Sequence, residues 1–164
     1  MLKTKRCLFR GWELTDFEAL KEMYSNDNVC EFLPIIGHLS DTQIEKALLG
    51  FLKMKPSNIK ESSIYAVVYD GHVIGYCGVV YIKEKDKYEI MYGFNEDYWG
   101  QGFATESAML MKEVAKNKGL KEVIAFASPL NIPSNAVLKK IGYTFKEEIE
   151  LWNMRLNYYE MRLD

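Results

Sequence analysis

No apolar run in this sequence of 164 residues approaches the ~20 needed to cross a bilayer, so a membrane-spanning protein is not expected. The N-terminal stretch MLKTKRCLFRGW is basic but lacks the apolar centre and small-residue cleavage pattern of a secretory signal, so a cytoplasmic location is the expectation. Cysteine is scarce. Cys7, Cys30 and Cys77 are odd in number, widely spaced and without a CxxC pair or clustered histidines, which predicts free buried thiols and no metal site. The two histidines, His38 and His72, stand alone, and His72 reads as a solvated turn residue. A basic excess is also missing: 21 Lys and Arg face 23 Asp and Glu, a formal net charge of −2 that offers no footprint for nucleic acid.

What is present suits one compact domain spanning 1–164, with 48% hydrophobic and 27% charged residues. Lys5 to Trp12 reads as a strand. TDFEALKEMYS follows as a helix capped at Thr15 or Asp16, with Phe17, Leu20 and Tyr24 on one face. A second helix is expected from Asp41 to Lys53, ended by Pro56, and the apolar loop EFLPIIGHLS between the two is expected to pack over something. Two β-rich runs joined by Asp70-Gly71 predict a tight hairpin. Tyr88 to Phe94 is a fourth strand. A third helix opens after NEDYWGQG and closes at Gly119, VIAFAS is a short strand, and NIPSNAVLKKIG is a fourth helix with Pro133 in its first turn and Gly142 past its end. Two strands around Tyr143 to Ile149 and Tyr158 to Leu163 finish the chain. The expected fold is α/β, a mixed, mostly antiparallel sheet of about seven strands flanked by about four helices.

The stretch YWGQGFATES, Tyr98 to Ser107, sets two glycines one residue apart where a loop becomes a helix. Glycine lets the backbone turn successive N–H groups toward one point and keeps side chains out of a ligand's way. Added to the unpaired first amides of the helix, this predicts an anion site at Gly100, Gln101, Gly102, Phe103, Ala104 and Thr105. A dinucleotide turn would read GxGxxG, but Thr105 stands third and the loop follows an antiparallel hairpin. A Walker loop would close on GK[ST], where this chain has GFAT.

Together with NIPSNAVLKKIGY about thirty residues on, YWGQGFATES resembles the GNAT superfamily of acetyl-coenzyme A-dependent N-acetyltransferases, and within it the branch of the ribosomal-protein N-terminal acetyltransferases RimJ and RimL. The opening RCLFRGWELTDFEAL and the order of elements resemble that branch too, so the likeness covers nearly the whole chain. In the superfamily pattern Q/R-x-x-G-x-G/A, whose amides bind pyrophosphate, Gly102 and Ala104 match and Trp99 takes the Gln/Arg position. The resemblance implies that the fourth strand splays from the fifth, leaving backbone groups at Tyr92, Gly93 and Phe94 for the pantetheine arm. It also implies that Asn131 contacts that arm, with Asn135 nearby. Plain helix capping is the alternative for Asn131, Ser134 and Asn135.

Acyl transfer from a thioester to an amine needs a neutral amine, a polarised carbonyl and a stabilised leaving thiolate. The expected base is Glu89. Alternation puts it on the opposite side of its strand from Tyr88, Ile90 and Tyr92; the alternative is a surface carboxylate paired with Lys83 or Lys87. The tyrosine that many GNAT enzymes carry seven residues after the asparagine is Leu138 here, which leaves Ser134 as the expected aid to the thiolate. Trp152 and Tyr158 are either packing residues or the rim of an amine pocket. The function implied is acetyl transfer from acetyl-coenzyme A to a primary amine, a peptide or protein N-terminus first, by a monomer or homodimer. A small amine acceptor (polyamine, amino acid or aminoglycoside) and an acyl-coenzyme A-binding module without turnover are the alternatives.

Overall fold

In the computed structural model, which describes residues 1–33, 38–55 and 61–164, eight strands form one sheet in the order β1-β2-β3-β4-β5-β6-β8-β7. The elements are β1 (Leu2–Lys3), β2 (Leu8–Arg10), α1 (Phe17–Tyr24), α2 (Asp27–Cys30), α3 (Asp41–Lys53), β3 (Ser63–Tyr69), β4 (His72–Ile82), β5 (Lys87–Phe94), α4 (Phe103–Asn117), β6 (Glu122–Ala127), α5 (Ile132–Ile141), β7 (Thr144–Leu151) and β8 (Met154–Arg162). All described pairings are antiparallel except that of β5 with β6, the two strands joined through α4.

The α/β fold expected from the sequence is the fold found, with small differences. The expected strand Lys5–Trp12 is shorter, and residues 2–3 fold back on it as β1, Leu2 opposite Phe9. A four-residue helix, α2, follows α1; its amides are capped by Asn26 Oδ1, which accepts from Asn28 and Val29. Neither Thr15 nor Asp16 caps α1 by a side-chain hydrogen bond. The Asp70-Gly71 turn joins β3 to β4 with both residues at positive φ, 48° and 78°. A second two-residue turn, Trp152-Asn153 at φ 53° and 58°, joins β7 to β8. Pro56 and residues 34–37 of the apolar loop lie outside the described residues; Leu33 and Leu39, flanking that loop, pack on the α1/α3 core.

Alternation along the strands builds two cores, one on each face of the sheet. Phe9, Tyr65, Cys77, Val79, Ile90 and Ala125 face α4 and α5, packing on Phe103, Ala108, Met111 and Leu138. Ile64, Ala66 and Tyr76 face α1 and α3, packing on Leu20, Met23, Ile44 and Leu48. Cys7, Cys30 and Cys77 are free and buried. Among the described residues no helix is long and apolar enough to cross a membrane.

The α1 side is tied to the sheet by a buried ion pair. Asp16, 6% exposed, accepts both Arg10 guanidinium N–H groups at 2.8 Å and the Glu13 amide at 2.9 Å. Burial alone would raise the Asp16 carboxyl; the Arg10 hydrogen bonds and the Glu13 amide outweigh it and hold it below the ordinary value. The pair therefore stabilises the fold above the unfolded carboxyl's pKa, and that contribution is lost as pH falls through the lower folded value. Asp16→Asn leaves Arg10 without its counter-charge and is expected to cost about 2–4 kcal/mol in urea unfolding near neutral pH. An unchanged midpoint would reduce the pair to a surface interaction.

Candidate active site

The site is built where β5 and β6 part. They share one described register pair, Glu89 opposite Ile124, and from Ile90 onward β5 has no strand paired on that side among the described residues. Two side chains occupy the start of the gap. Tyr143, just past α5, donates its hydroxyl to the Ile124 carbonyl at 3.2 Å, and the hydroxyl oxygen accepts from the Ile90 amide. Glu89 accepts a hydrogen bond from the Phe126 amide on β6.

Glu89 lies opposite Val80 on β4, at the seam between the α1/α3 core and a smaller cluster of Ile82, Ile124 and Tyr158 flanked by Val80 and Phe126. Among the described residues it has no salt-bridge partner. Lys87 turns instead to Glu160 at 2.9 Å and Glu122 at 3.1 Å, so the pairing with Lys87 that would make Glu89 an ordinary surface carboxylate is absent. The residue is half-buried, and protein atoms crowd its carboxyl so closely that burial pushes it up to about 8, with only the Phe126 amide acting the other way. A carboxyl with that value exchanges protons near neutral pH.

At the far end of β5 the chain turns through Gly100 and Gly102, both at positive φ (71° and 83°), into α4. The first α4-type bond runs from the Glu106 amide to the Gly102 carbonyl. The amides of residues 100–105 therefore have no acceptor among the described residues, and a Cβ at Gly100 would have nothing within 4 Å. A row of free donors on an open surface at a helix N-terminus fits a pyrophosphate. The loop is fastened from behind by a residue that sequence spacing gave no means to find. Arg6 donates to the Gln101 carbonyl (3.0 Å) and to Glu106 (2.8 Å), with its guanidinium 4.0 Å from the Phe103 ring centroid. Trp99, at the family's Gln/Arg position, donates its indole N–H to the Phe94 carbonyl at 2.8 Å.

The remaining expected residues gather at the start of α5. Asn131 is the N-cap, accepting from the Ser134 amide at 3.2 Å, and its side-chain amide donors have no partner among the described residues. Ser134 Oγ lies 3.1 Å from the Tyr92 hydroxyl. Asn135 is placed differently from expectation. It gives both N–H groups to the carbonyls of Ser128 and Asn131 at 2.8 Å, and its oxygen accepts from Asn157 at 2.9 Å and from Tyr159. All its hydrogen-bonding capacity is spent tying α5 to β8, which leaves its side chain no group for a ligand. Leu138 is buried in the α4/α5 core. Trp152 packs edge-on to Phe126 at 5.5 Å and donates to Glu84, while Tyr158 lies under Lys85 and donates to Glu160.

This arrangement has known relatives. The family model described as acetyltransferase (GNAT) domain matches residues 6–144. The chain belongs to the GNAT acetyltransferase family. It is 34% identical over 145 residues to the uncharacterized N-acetyltransferase YnaD of Bacillus subtilis (strain 168), covering 86% of this chain and 81% of that protein. Among solved structures, a GNAT family acetyltransferase from Bacillus anthracis superposes with a TM-score of 0.83 at 24% identity, over 99% of this chain and 98% of the other. RimL, the ribosomal L7/L12 alpha-N-protein acetyltransferase in complex with coenzyme A, has a TM-score of 0.81 at 18% identity, over 98% and 96%. The aminoglycoside acetyltransferase AAC(6')-Ib with ribostamycin and coenzyme A has 0.80 at 14%, over 96% and 94%. This GNAT chain is thus an acetyl-coenzyme A-dependent N-acetyltransferase, and the two neighbours with different acceptors share its fold.

The elevated Glu89 value carries a consequence for stability. A carboxyl raised in the folded state favours folding while it is neutral; that advantage is full below the unfolded value near 4.5 and is lost as pH rises toward about 8. Wild type should therefore lose stability across this window, by at most about 1.4 kcal/mol per pH unit, relative to Glu89→Gln, which stays neutral. Thermal melts of both proteins from pH 5 to pH 8.5 test this. Parallel curves would mean that the carboxyl is solvated like an ordinary glutamate.

Proposed function

We propose that this acetyltransferase acts on the N-terminal α-amine of a peptide or protein, in the manner of the RimJ/RimL-like branch, with Glu89 as the base. The observation that carries the reading is the half-buried Glu89 carboxyl, raised to about 8 by the atoms crowded around it and without a cation partner among the described residues. An α-amine has an ordinary pKa of ~7.7–8.0, so a proton passes between amine and carboxyl almost without cost, whereas an alkyl amine near ~10.4 holds its proton far more tightly. The wall around the carboxyl supports the same reading. Val80, Ile124 and Phe126 flank it, and Tyr24 and Tyr76 hydrogen-bond to each other on that face. A polycationic acceptor would call for several carboxylates there.

Acetyl-coenzyme A supplies the acyl group as a thioester. The chain's part is to hold it: the amides of Gly100, Gln101, Gly102, Phe103, Ala104 and Thr105 for the pyrophosphate, and the Asn131 side chain with backbone groups of Tyr92, Gly93 and Phe94 for the arm. The Phe94 carbonyl is already engaged by Trp99 and Gly93 is paired with Tyr76 in the β4–β5 ladder, so Tyr92 offers the freer backbone. Glu89 takes the proton of the attacking amine from one face of β5. Ser134, on the other face, offers its hydroxyl to the sulfur.

Gly102→Val puts a branched side chain at φ 83° in the amide row and should weaken coenzyme A binding at least tenfold, about 1.4 kcal/mol, by calorimetry on a variant that keeps its circular dichroism. Unchanged affinity would remove the loop from the pyrophosphate site.

The acceptor is tested by coenzyme A release across peptides with varied first residues, spermidine and an aminoglycoside. Peptides are expected to lead by at least tenfold in kcat/KM, and Glu89→Gln to lose roughly tenfold to a hundredfold near pH 7, with the loss narrowing toward pH 9 as the amine becomes free on its own. A lead for spermidine or the aminoglycoside would assign the enzyme to small amines. A Glu89→Gln profile parallel to wild type would take the base away from Glu89.

A further inference from the structure

The site has lost one phenol and holds another. At the position where the family often carries a tyrosine on this helix, Leu138 is buried in the core and brings no polar group. The hydroxyl that stands at the start of α5 comes instead from the sheet. Tyr92 projects from β5 toward α5, and its oxygen is 3.1 Å from Ser134 Oγ, its one hydrogen-bond partner among the described residues.

Either hydroxyl can donate in this pair, and a phenol, the more acidic of the two, is the stronger donor. Burial pushes the Tyr92 phenol up to about 12, so it keeps its proton at any working pH. The titratable groups around it are Cys77 on β4, Glu89 on its own strand, Tyr159 on β8 and Tyr143, whose own proton is given to the Ile124 carbonyl. Cys77 is itself raised by burial, and Tyr159 gives its proton to Asn135, so neither draws the Tyr92 proton away. Ser134 has one proton and two lone pairs. Its amide is held by Asn131, which fixes the helix turn that carries it. With Tyr92 donating to Oγ, the seryl proton is left to point elsewhere.

We infer that Tyr92 is a positioning residue that replaces the phenol missing at Leu138: it donates to Ser134 Oγ and so directs and strengthens the seryl O–H as a donor to the departing thiolate of coenzyme A. This rests on the assignment of Ser134 to the thiolate made above. No proton changes owner within the chain. The amine nitrogen forms the new C–N bond and gives its proton to Glu89, the C–S bond breaks with its electron pair resting on sulfur, Ser134 stabilises that charge through a two-link hydrogen-bond chain, and solvent protonates the thiolate after release. A thiol of ordinary pKa near ~8.5 needs no stronger acid, and linked hydroxyls polarise one another so that the outer one donates better.

The test reads the thiol directly and needs no acceptor. Coenzyme A bound to wild type, Tyr92→Phe, Ser134→Ala and the double variant is titrated by ultraviolet thiolate absorbance, as a difference against the desulfo-coenzyme A complex. The bound thiol in wild type should titrate below its value in solution. Each single variant should raise it by roughly one unit, a tenfold smaller thiolate fraction, and the double variant should add little more, as expected of residues acting in series. With the best amine of the panel, Tyr92→Phe should lower kcat about tenfold and leave KM for acetyl-coenzyme A within twofold. A Tyr92→Phe complex that titrates like wild type while Ser134→Ala is shifted overturns the role of Tyr92 alone, as do shifts that add in full. A wild-type complex whose thiol titrates as in solution overturns the Ser134 reading and this inference together.

Discussion

Everything chemical in this molecule depends on two neighbouring strands that stop pairing. A β-strand inside a sheet must place every N–H and C=O, and a strand that loses its neighbour leaves those groups unsatisfied. Here the first groups orphaned by the parting of β5 and β6 are met by side chains: Tyr143 takes the Ile124 carbonyl and the Ile90 amide, and Glu89 takes the Phe126 amide. These contacts hold the strands apart at a fixed distance from their single register pair. They also force Glu89 inward. The carboxyl is drawn to the gap by a backbone donor and finds no cation there, so its elevated value follows from the architecture that opens the sheet.

The opening is coupled to the anion loop through short chains of contacts. Glu96, in the turn after β5, accepts from Asn26 at 2.8 Å and Asn28 at 2.7 Å, which ties α2 to the path leading to Gly100. Trp99 bonds back to the end of β5, and Gln101 donates to the Asp97 carbonyl at 2.9 Å. Arg6 then holds the loop to α4 from the opposite side. It takes the Gln101 carbonyl, a group that would repel phosphate, and with that carbonyl turned back the flanking amides face outward. Its charge is met there by Glu106, so what Arg6 contributes is the hold on the Gln101 carbonyl.

The sequence made the larger elements legible because their signals are local. The α3 bounds, the Asp70-Gly71 hairpin and the α5 ends at Pro133 and Gly142 follow from periodicity, turn chemistry and caps, and the family likeness supplied the order in which they stack. Three features were missed for physical reasons: β1 is two residues long, α2 is only four, and Trp152-Asn153 makes its turn without the glycine that usually announces positive φ. At the site, the positive φ of the loop glycines and the place of Glu89 on its strand were readable. Arg6 with Glu106, Tyr92 with Ser134 and Tyr143 with Ile124 were not, since each joins residues far apart in the chain that only the folded sheet brings together. Asn135 was misjudged because its spacing from Asn131 says nothing of β8, where Asn157 and Tyr159 take up its oxygen.

The carboxyl of Glu89 and the hydroxyl of Tyr92 are kept apart by register. Glu89 and Tyr92 are three residues apart on one strand, an odd spacing, so they must point to opposite sides of the sheet. A slip of one residue between β4 and β5 would exchange those sides and put the carboxyl in the α4/α5 core. Close packing opposes that slip. A Cβ at Gly75 would fall 2.3 Å from the Gly93 carbonyl and one at Gly93 would fall 2.5 Å from the Tyr76 ring, so each position accepts only hydrogen against its present partner. Shifting the strands by one would bring Tyr76 or Phe94 against a residue that carries a side chain. The fit that looks like simple packing between β4 and β5 is therefore what keeps the Glu89 carboxyl on one side of the strand and the Tyr92–Ser134 hydroxyl pair on the side of α5.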